Sequence, residues 1–210
     1  HMCKIVFIFS EKGGVGKTIT AVGLINEMIK IKSKSNVLAI NLDESSYSLE
    51  AVLSRYNLLS KVDYRNESFD TLNRCLENEI RNNKYNFVVV DFKGSEIDSD
   101  FNYIEKVFDK ANVCIIPIIP SVSNITAILK ALDRMHKLNV NNKIKLLINL
   151  HGAENLTITN LVNKLNNEYK SYHLLTKTIE DVRKHDDLIN VFNKQNRETF
   201  QYLIQIINEK

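Results

Sequence analysis

The chain has 210 residues, of which 44% are hydrophobic and 25% are charged, with a formal net charge of +3 at pH 7. This composition excludes a disordered or low-complexity chain, and the length suits one α/β domain. So small a charge excludes a strongly basic protein and establishes no nucleic-acid surface. We expect His1 and Met2 to be a cloning remnant and residues 3–210 to form a single domain.

Cysteine spacing and hydropathy indicate the cellular compartment in which the protein works. Cys3, Cys75 and Cys114 are isolated and odd in number. They form neither a metal-ligand spacing nor a disulfide framework, which predicts buried thiols in a reducing cytosol. No stretch resembles a signal peptide or is long enough to span a membrane, so we expect a cytoplasmic protein.

A short apolar run near the start of the chain is followed by a glycine-rich turn and a helical pattern. Residues 5–9 predict a buried strand, and apolar residues at helical spacing predict a helix that begins near Lys17 and ends at residue 31. Between them, Gly13, Gly14 and Gly16 can take positive φ and leave room for an anion. The N–H groups of such a loop and the following helix N-terminus suit the phosphates of a nucleotide.

The residues after the glycines carry the charge and the hydroxyl that a nucleotide site needs. Lys17 would reach the β- and γ-phosphates, and Thr18 would bind Mg²⁺ through its hydroxyl. Val15 and Ile19 complete the predicted nucleotide-binding stretch. The spacing predicts a site for a nucleoside triphosphate with Mg²⁺; the alternative is a solvated glycine-rich turn.

Strands and helices alternate along the rest of the chain. We predict further strands over residues 37–40, 85–91, 113–120 and 143–149, and a short edge strand over 172–175. We predict helices over residues 49–56, 69–82, 101–110, 125–138, 156–169 and 197–208, and irregular polar chain elsewhere in 45–65. This order indicates an α/β fold with a mostly parallel central sheet flanked by helices, a P-loop NTPase.

Carboxylates follow two of the predicted strands, at the end of a parallel sheet where ligands bind. Asp91 closes an apolar strand in the Walker B form, whose carboxylate holds magnesium, often through water. Gly94 follows in an Asp-x-x-Gly pattern, which places an N–H where it can sense a γ-phosphate. Asp43, after the second strand, can orient a water for in-line attack; a solvated loop aspartate is the alternative.

A second lysine, Lys12, stands directly before the double glycine. Residues 12–18 read Lys-Gly-Gly-Val-Gly-Lys-Thr, with Glu11 where the usual pattern has its first glycine. This form resembles the deviant Walker A motif of the SIMIBI-type ParA/MinD ATPases, and the small plasmid partition proteins of the ParF type look most similar. The resemblance implies ATP as the nucleotide and implies that Lys12 reaches across a nucleotide sandwich dimer to the partner's phosphates.

The resemblance covers most of the chain and fades after residue 150. Asp43 matches the second aspartate of the family's Asp-x-Asp-Pro pattern, which implies a role in positioning the attacking water and in the magnesium shell. Asn41 and Glu44 depart from that pattern, and Lys93 departs beside the Walker B strand. These departures leave the rate of hydrolysis open. The residues expected in catalysis are Lys12, Lys17 and Asp43, and those expected at the metal are Thr18, Asp43 and Asp91.

The family resemblance also implies that residues later in the chain contact the adenine base and DNA. Asn149 closes a strand where relatives place an adenine contact, and a simple turn residue is the alternative. Residues 178–185 resemble the family's adenine-side loop, which continues into a helix. Arg183 and Lys184 there are the candidates for DNA phosphate contact, against a solvated helix face.

Taken with the family, the motifs predict an ATP-dependent DNA partition ATPase. We expect a homodimer on ATP, with higher polymers left open, that binds DNA without sequence preference and is nucleoid-associated. A ParB/ParG-like centromere-binding adaptor would stimulate its slow hydrolysis. No segment precedes the first strand that could hold a helix-turn-helix domain, so we expect no site-specific operator binding by this chain alone.

Three alternatives share these motifs. A MinD-like spatial regulator would need a basic membrane-binding helix, whereas the polar face of the last predicted helix carries glutamate and glutamine, so we expect no membrane partner. A metabolic relative would be an ATP-dependent synthetase, or a reductase with paired cluster cysteines. A non-hydrolysing nucleotide-dependent scaffold is the third.

Overall fold

The computed structural model describes residues 2–10, 13–31, 36–42, 48–92, 106–140, 143–149, 173–180 and 192–209, together with Asn160, Asn163 and Asn167. Its strands are β1 (Lys4–Ile8), β2 (Val37–Asn41), β3 (Asp63–Asn66), β4 (Phe87–Asp91), β5 (Val113–Ile118), β6 (Ile144–Asn149) and β7 (His173–Ile179). The helices with both ends among the described residues are α1 (Lys17–Ile31), α2 (Ser48–Arg55), α3 (Phe69–Asn82), α4 (Val122–Lys137) and α5 (Lys194–Glu209), with a 3-10 turn at Leu59–Lys61. Residues 106–108, Asn160, Asn163 and Asn167 are also helical, and the rest of the predicted helices 101–110 and 156–169 lies mostly outside the described residues. None of these helices is long and apolar enough to cross a membrane.

The strands form one parallel sheet in the order β3-β2-β4-β1-β5-β6-β7. The chain builds one half of this sheet, from β1 to β4, and then crosses over β1 to build the other half from β5 to β7. The order therefore reverses beside β1, which makes the carboxyl end of β1 the topological switch point. Ligands of open parallel sheets bind in the crevice at such a point.

Side chains alternate between two hydrophobic cores, one on each face of the sheet. In β1, Ile5 and Phe7 face one core and Val6 and Ile8 the other. Residues of α3 and α4 cover the first face, and residues of α1, α2 and α5 cover the second. Near-total burial on both faces explains why β1, β4 and β5 have continuous apolar sequences.

Helix α5 packs directly against α1, the helix that follows the glycine-rich turn. A Cβ at Gly23 of α1 would overlap the ring of Phe200, so the glycine permits this close approach. The buried Glu27 carboxylate accepts from Arg197 Nε at 3.2 Å and Gln201 Nε2 at 3.0 Å. Burial tends to raise the pKa of Glu27, but hydrogen bonds from Lys30 and Gln201 outweigh it and lower that pKa. The apolar face of α5 is thus core, as its periodicity predicts.

Most predicted strand and helix bounds lie within three residues of the observed ones, and two predictions differ by more. Residues 63–65 were predicted as irregular polar chain, but with Asn66 they form strand β3, which pairs with residues 38–41 of β2. The predicted edge strand 172–175 extends to Ile179, because a register shift between Leu146 and Ile148 of β6 accommodates the extra length. Helix α3 has its predicted bounds, with Ser68 and Thr71 forming a capping box at its start.

Candidate functional site

The glycine loop, residues 13–16, lies at the carboxyl end of β1 and leads into α1. Gly14 has φ 75° and Gly16 has φ 92°, values that favour glycine over other residues. A Cβ at Gly13 or Gly14 would meet no atom within 4 Å, so the space beside this stretch is open. Open space next to positive-φ glycines is what close approach of a phosphate to the backbone requires.

Helix α1 begins at Lys17 and points its N-terminus at the same space. Thr20 ties its first turn to the loop, since its backbone N–H and its hydroxyl both donate to the Gly16 carbonyl, at 3.0 and 2.8 Å. No acidic residue occupies the first turn, so no side-chain carboxylate of that turn offsets the partial positive charge of the helix end. Lys17 itself is only 9% exposed, a position that suits an ammonium group meant for an anion.

Thr18 and Asp91 meet beside the loop, as their predicted shared role at a metal requires. The Thr18 hydroxyl donates to Asp91 Oδ2 at 2.7 Å, which joins the first turn of α1 to the carboxyl end of β4. Asp91 is 3% exposed. The two residues are 73 positions apart in sequence, and their contact follows from β4 pairing directly with β1.

The Thr18–Asp91 pair fits a magnesium site. A hydroxyl and a carboxylate oxygen are hard ligands, and Mg²⁺ usually binds one or two protein oxygens together with water and nucleotide phosphates. Within the described residues no group of three or more His, Cys, Asp or Glu side chains is arranged to hold a metal. A site that takes its remaining ligands from the nucleotide and from water needs no such group.

Asn149 is placed against the glycine loop from the other side. Its Nδ2 donates to the Val15 carbonyl at 3.0 Å, and a Cβ at Gly16 would overlap that same nitrogen. Val15 is 3% exposed, and Ile19 packs against the core beneath α1. The end of β6 therefore supports the glycine loop through this hydrogen bond. The role of Asn149 as an adenine contact stays a prediction.

A row of neutral polar side chains continues from Asp91 toward the edge of the sheet. Asn41 of β2 is the register partner of both Asp91 of β4 and Asn66 of β3. Asn66 Oδ1 accepts from Asn41 Nδ2 at 2.9 Å and from the Tyr64 hydroxyl at 2.7 Å. Burial, and then the Glu50 carboxylate, raise the pKa of Tyr64, so it remains a hydrogen-bond donor at neutral pH.

Sequence patterns did not reveal Tyr64 and Asn66. Their strand contains no apolar run, and its side chains are largely half-buried or exposed. The available signal was alternation around Tyr64, a residue type enriched in strands. Pairing with β2 is what brings these two side chains to the site.

Several predicted site residues lie outside the described part of the chain. These are Lys12, Asp43, Gly94, Arg183 and Lys184, and also the departures Glu44 and Lys93. Their roles stay predictions. The predicted residues that the structure does bring together are Gly13, Gly14, Val15, Gly16, Lys17, Thr18, Ile19, Asp91 and Asn149.

Solved structures of similar fold include proteins of three functions. A plasmid partition protein from Borrelia burgdorferi is 17% identical and matches over 100% of this chain and 99% of its own, with a TM-score of 0.66. The MinD cell division protein of Aquifex aeolicus is 16% identical over 96% and 97%, with a TM-score of 0.69. Cobyrinic acid a,c-diamide synthase from Mycobacterium smegmatis, with bound ADP and magnesium, is 15% identical over 97% and 95%, with a TM-score of 0.64. At these identities the likeness establishes the fold alone.

The family follows from the sequence. No curated protein matches the chain. The model of the CobQ/CobB/MinD/ParA nucleotide-binding domain matches residues 6–207, nearly the whole chain, and includes the glycine loop, Asp91 and Asn149. The chain therefore belongs to the CobQ/CobB/MinD/ParA family of nucleotide-binding domains.

Proposed function

We propose that the protein is an ATP-dependent DNA partition ATPase whose site is the crevice at the carboxyl end of β1. The observation that carries the ATPase part is the Thr18–Asp91 hydrogen bond beside an open, positive-φ glycine loop. The partition role is supported by the ParA-like motif around Lys12 and by a plasmid partition protein of matching length and fold. A nucleotide-bound relative with ADP and magnesium supports the cofactors.

Nucleotide binding follows from the groups that converge on the loop. The N–H groups of the glycine loop and the first turn of α1 donate to phosphate oxygens, and Lys17 neutralises part of their charge. Thr18 and Asp91 would hold Mg²⁺, which when bound would supply positive charge to the nucleotide phosphates. Asn149, at the end of β6, would contact the adenine base, as the family resemblance implies.

Hydrolysis and dimerisation rest on residues identified by sequence. Asp43 would orient the attacking water in line with the γ-phosphate. Lys12 would reach the partner's phosphates and neutralise charge across a homodimer that forms on ATP. The Gly94 N–H would sense whether the γ-phosphate is present. Loss of the γ-phosphate then removes the interaction that joins the two protomers.

The ATP dimer is the DNA-binding form in this proposal. Arg183 and Lys184 from two protomers would contact phosphates without reading bases, which places the protein on the nucleoid. A centromere-bound adaptor of the ParB/ParG kind would accelerate hydrolysis and release the dimer. The burial of Phe200, Leu203 and Ile207 against α1 leaves that face of α5 unable to serve as a membrane anchor, which disfavours the MinD-like alternative.

DNA binding by an Asp43→Ala variant tests this function. The variant should accumulate as the ATP dimer and bind arbitrary duplex DNA with ATP, but not with ADP or without nucleotide. Its affinity should fall steeply as salt rises, because phosphate contacts release counterions. A matched Asp43→Ala/Lys17→Ala double variant should not bind under any condition.

Two results would contradict the proposal in different places. Absence of ATP binding would remove the nucleotide site itself. Tight ATP binding without DNA binding in any nucleotide state would retain the site but exclude the partition role; co-flotation with liposomes in ATP would then identify the membrane relative.

A further inference from the structure

Three register partners at the carboxyl end of the sheet carry polar side chains: Asn66, Asn41 and Asp91. They belong to the adjacent strands β3, β2 and β4. Neighbouring strands lie about 4.8 Å apart, and register partners of a parallel sheet project to the same face. That face is the one covered by α1, since Asp91 bonds to Thr18 there. The row therefore runs straight into the metal-holding pair.

Hydrogen bonding fixes which way the Asn41 amide is turned. Asn66 Oδ1 accepts from the Tyr64 hydroxyl at 2.7 Å and from Asn41 Nδ2 at 2.9 Å. Asn66 Oδ1 is an acceptor only, so its contact at 2.9 Å is with the donor end of the Asn41 amide. The Asn41 nitrogen is thereby held toward β3, and its carbonyl oxygen lies on the side away from Asn66.

Burial makes this orientation consequential. Asn41 is 1% exposed and Asp91 is 3% exposed. The hydrogen bond from Asn41 to Asn66 is part-buried, and the one from Tyr64 to Asn66 is exposed. Burial strengthens polar interactions only at the Asn41 and Asp91 end of the row. A carboxylate at position 41 would place a second buried negative charge one strand away from Asp91, which is costly. An amide supplies an acceptor oxygen at this position without that charge.

We propose that Tyr64 and Asn66 are positioning residues that orient the Asn41 amide, so that its oxygen accepts a hydrogen bond from a water of the Mg²⁺ shell at Thr18 and Asp91. This inference rests on the proposed nucleotide function and adds to it a role for β3, a strand that the family resemblance left without one. Partners of metal-bound groups commonly change metal affinity about 10- to 100-fold when removed. The measurable consequence is the factor by which Mg²⁺ strengthens nucleotide binding.

The test compares nucleotide affinity with and without the metal. A fluorescent ADP analogue is titrated with the full chain in Mg²⁺ and in EDTA. The recorded ratio is the dissociation constant in EDTA divided by the dissociation constant in Mg²⁺, so a larger ratio means a stronger Mg²⁺ enhancement. Asn66→Ala should lower this ratio by up to about tenfold, the lower end of the effect of removing a direct partner of a metal-bound group, because Asn66 acts through Asn41. Tyr64→Phe, which removes one hydroxyl, should lower it roughly threefold. Affinity in EDTA should stay at the wild-type value.

Two variants separate positioning from general destabilisation. Asn66→Asp keeps the accepting oxygen, so it should retain at least the wild-type ratio. Asn112→Ala is the control at the opposite end of the sheet, where Asn112 Oδ1 accepts from the Ile5 N–H at 2.8 Å. It removes a comparable asparagine hydrogen bond and should leave the ratio unchanged. Thermal melts confirm that each variant is folded, and Tyr64→Phe provides the mildest change.

The outcomes distinguish this inference from the proposed function. If wild type binds the analogue with normal Mg²⁺ enhancement and Asn66→Ala and Tyr64→Phe match it, the positioning role is refuted alone. Equal losses of affinity in Mg²⁺ and in EDTA would also refute it, because they indicate packing. Failure of wild type to bind the analogue in either condition would overturn the proposed nucleotide function and this role with it.

Discussion

The two ends of the same sheet each carry a hydroxyl that donates to a carboxylate. At the carboxyl end Thr18 Oγ1 donates to Asp91 Oδ2 at 2.7 Å. At the amino end Tyr85 OH donates to Asp63 Oδ2 at 2.6 Å. The bonds are nearly identical in chemistry and length, and yet we assign function to only one of them.

Surroundings account for the difference. Asp91 is 3% exposed beside an open glycine loop, whereas the Asp63 side chain is 53% exposed and accepts from Lys84 Nζ at 2.8 Å. Lys84 is itself 57% exposed and lies 4.8 Å from the centre of the Tyr85 ring. Exposed ion pairs of this kind contribute little, because water screens them. A carboxylate–hydroxyl pair thus indicates a metal site only where it is buried and lies beside a loop that can bind an anion.

Replacing one lysine by alanine at each end of the sheet should give the largest difference in nucleotide affinity. Lys17→Ala should weaken nucleotide binding at least about 100-fold, because one ammonium group serves two phosphates and each charged hydrogen bond contributes about 1.5–3 kcal/mol. Lys84→Ala should bind nucleotide as wild type does. Isothermal titration with ATP and Mg²⁺ measures both. Equal affinities for the two variants would mean that the site is not at the carboxyl end of the sheet.

Alanine substitutions of the loop glycines should give an intermediate effect, which is measured as a change in the free energy of unfolding without nucleotide. Gly16→Ala should destabilise the fold by about 1–3 kcal/mol, since φ 92° strains any side chain and the new Cβ would overlap Asn149. Gly13→Ala, three residues earlier, has open space and should change stability by less than about 0.5 kcal/mol. Urea unfolding of the two variants measures the difference. Indistinguishable midpoints would argue against the contact between Asn149 and the loop.

Asp63→Asn should give the smallest effect, confined to stability and dependent on pH. Hydrogen bonds from Lys84 and then Tyr85 hold the pKa of Asp63 below its usual 3.8. A carboxyl whose pKa is lowered by folding contributes stability above its unfolded pKa and loses it as pH falls through the folded one. The variant should therefore be slightly less stable than wild type at neutral pH, and the gap should close well below pH 3.8.

Chemical denaturation across this pH range, with ATP titration in parallel, checks the prediction. Nucleotide affinity should not change, because Asp63 lies at the opposite end of the sheet from the glycine loop. A gap that widens toward acid would reverse the sign of the linkage, and a loss of ATP binding would make the amino end part of the site.

Local sequence determined the elements that build the nucleotide crevice. The apolar run before the glycines predicted β1, helical spacing predicted α1, and an apolar run ending in Asp91 predicted β4. Each signal lies within a dozen or so residues, because burial on two faces or on one helical stripe imposes its own period on the chain. The parallel sheet followed from the alternation of such strands with helices.

Tertiary structure decided how distant residues complete that crevice. Strand β3 exists because β2 pairs with it, although its own residues form no apolar pattern. Asn149 supports the Val15 carbonyl across 134 positions of sequence, and Asn66 orients Asn41 across 25. Local periodicity reports only whether a side chain is buried. Which buried polar groups meet depends on strand order and register, and these are set by the packing of the whole sheet.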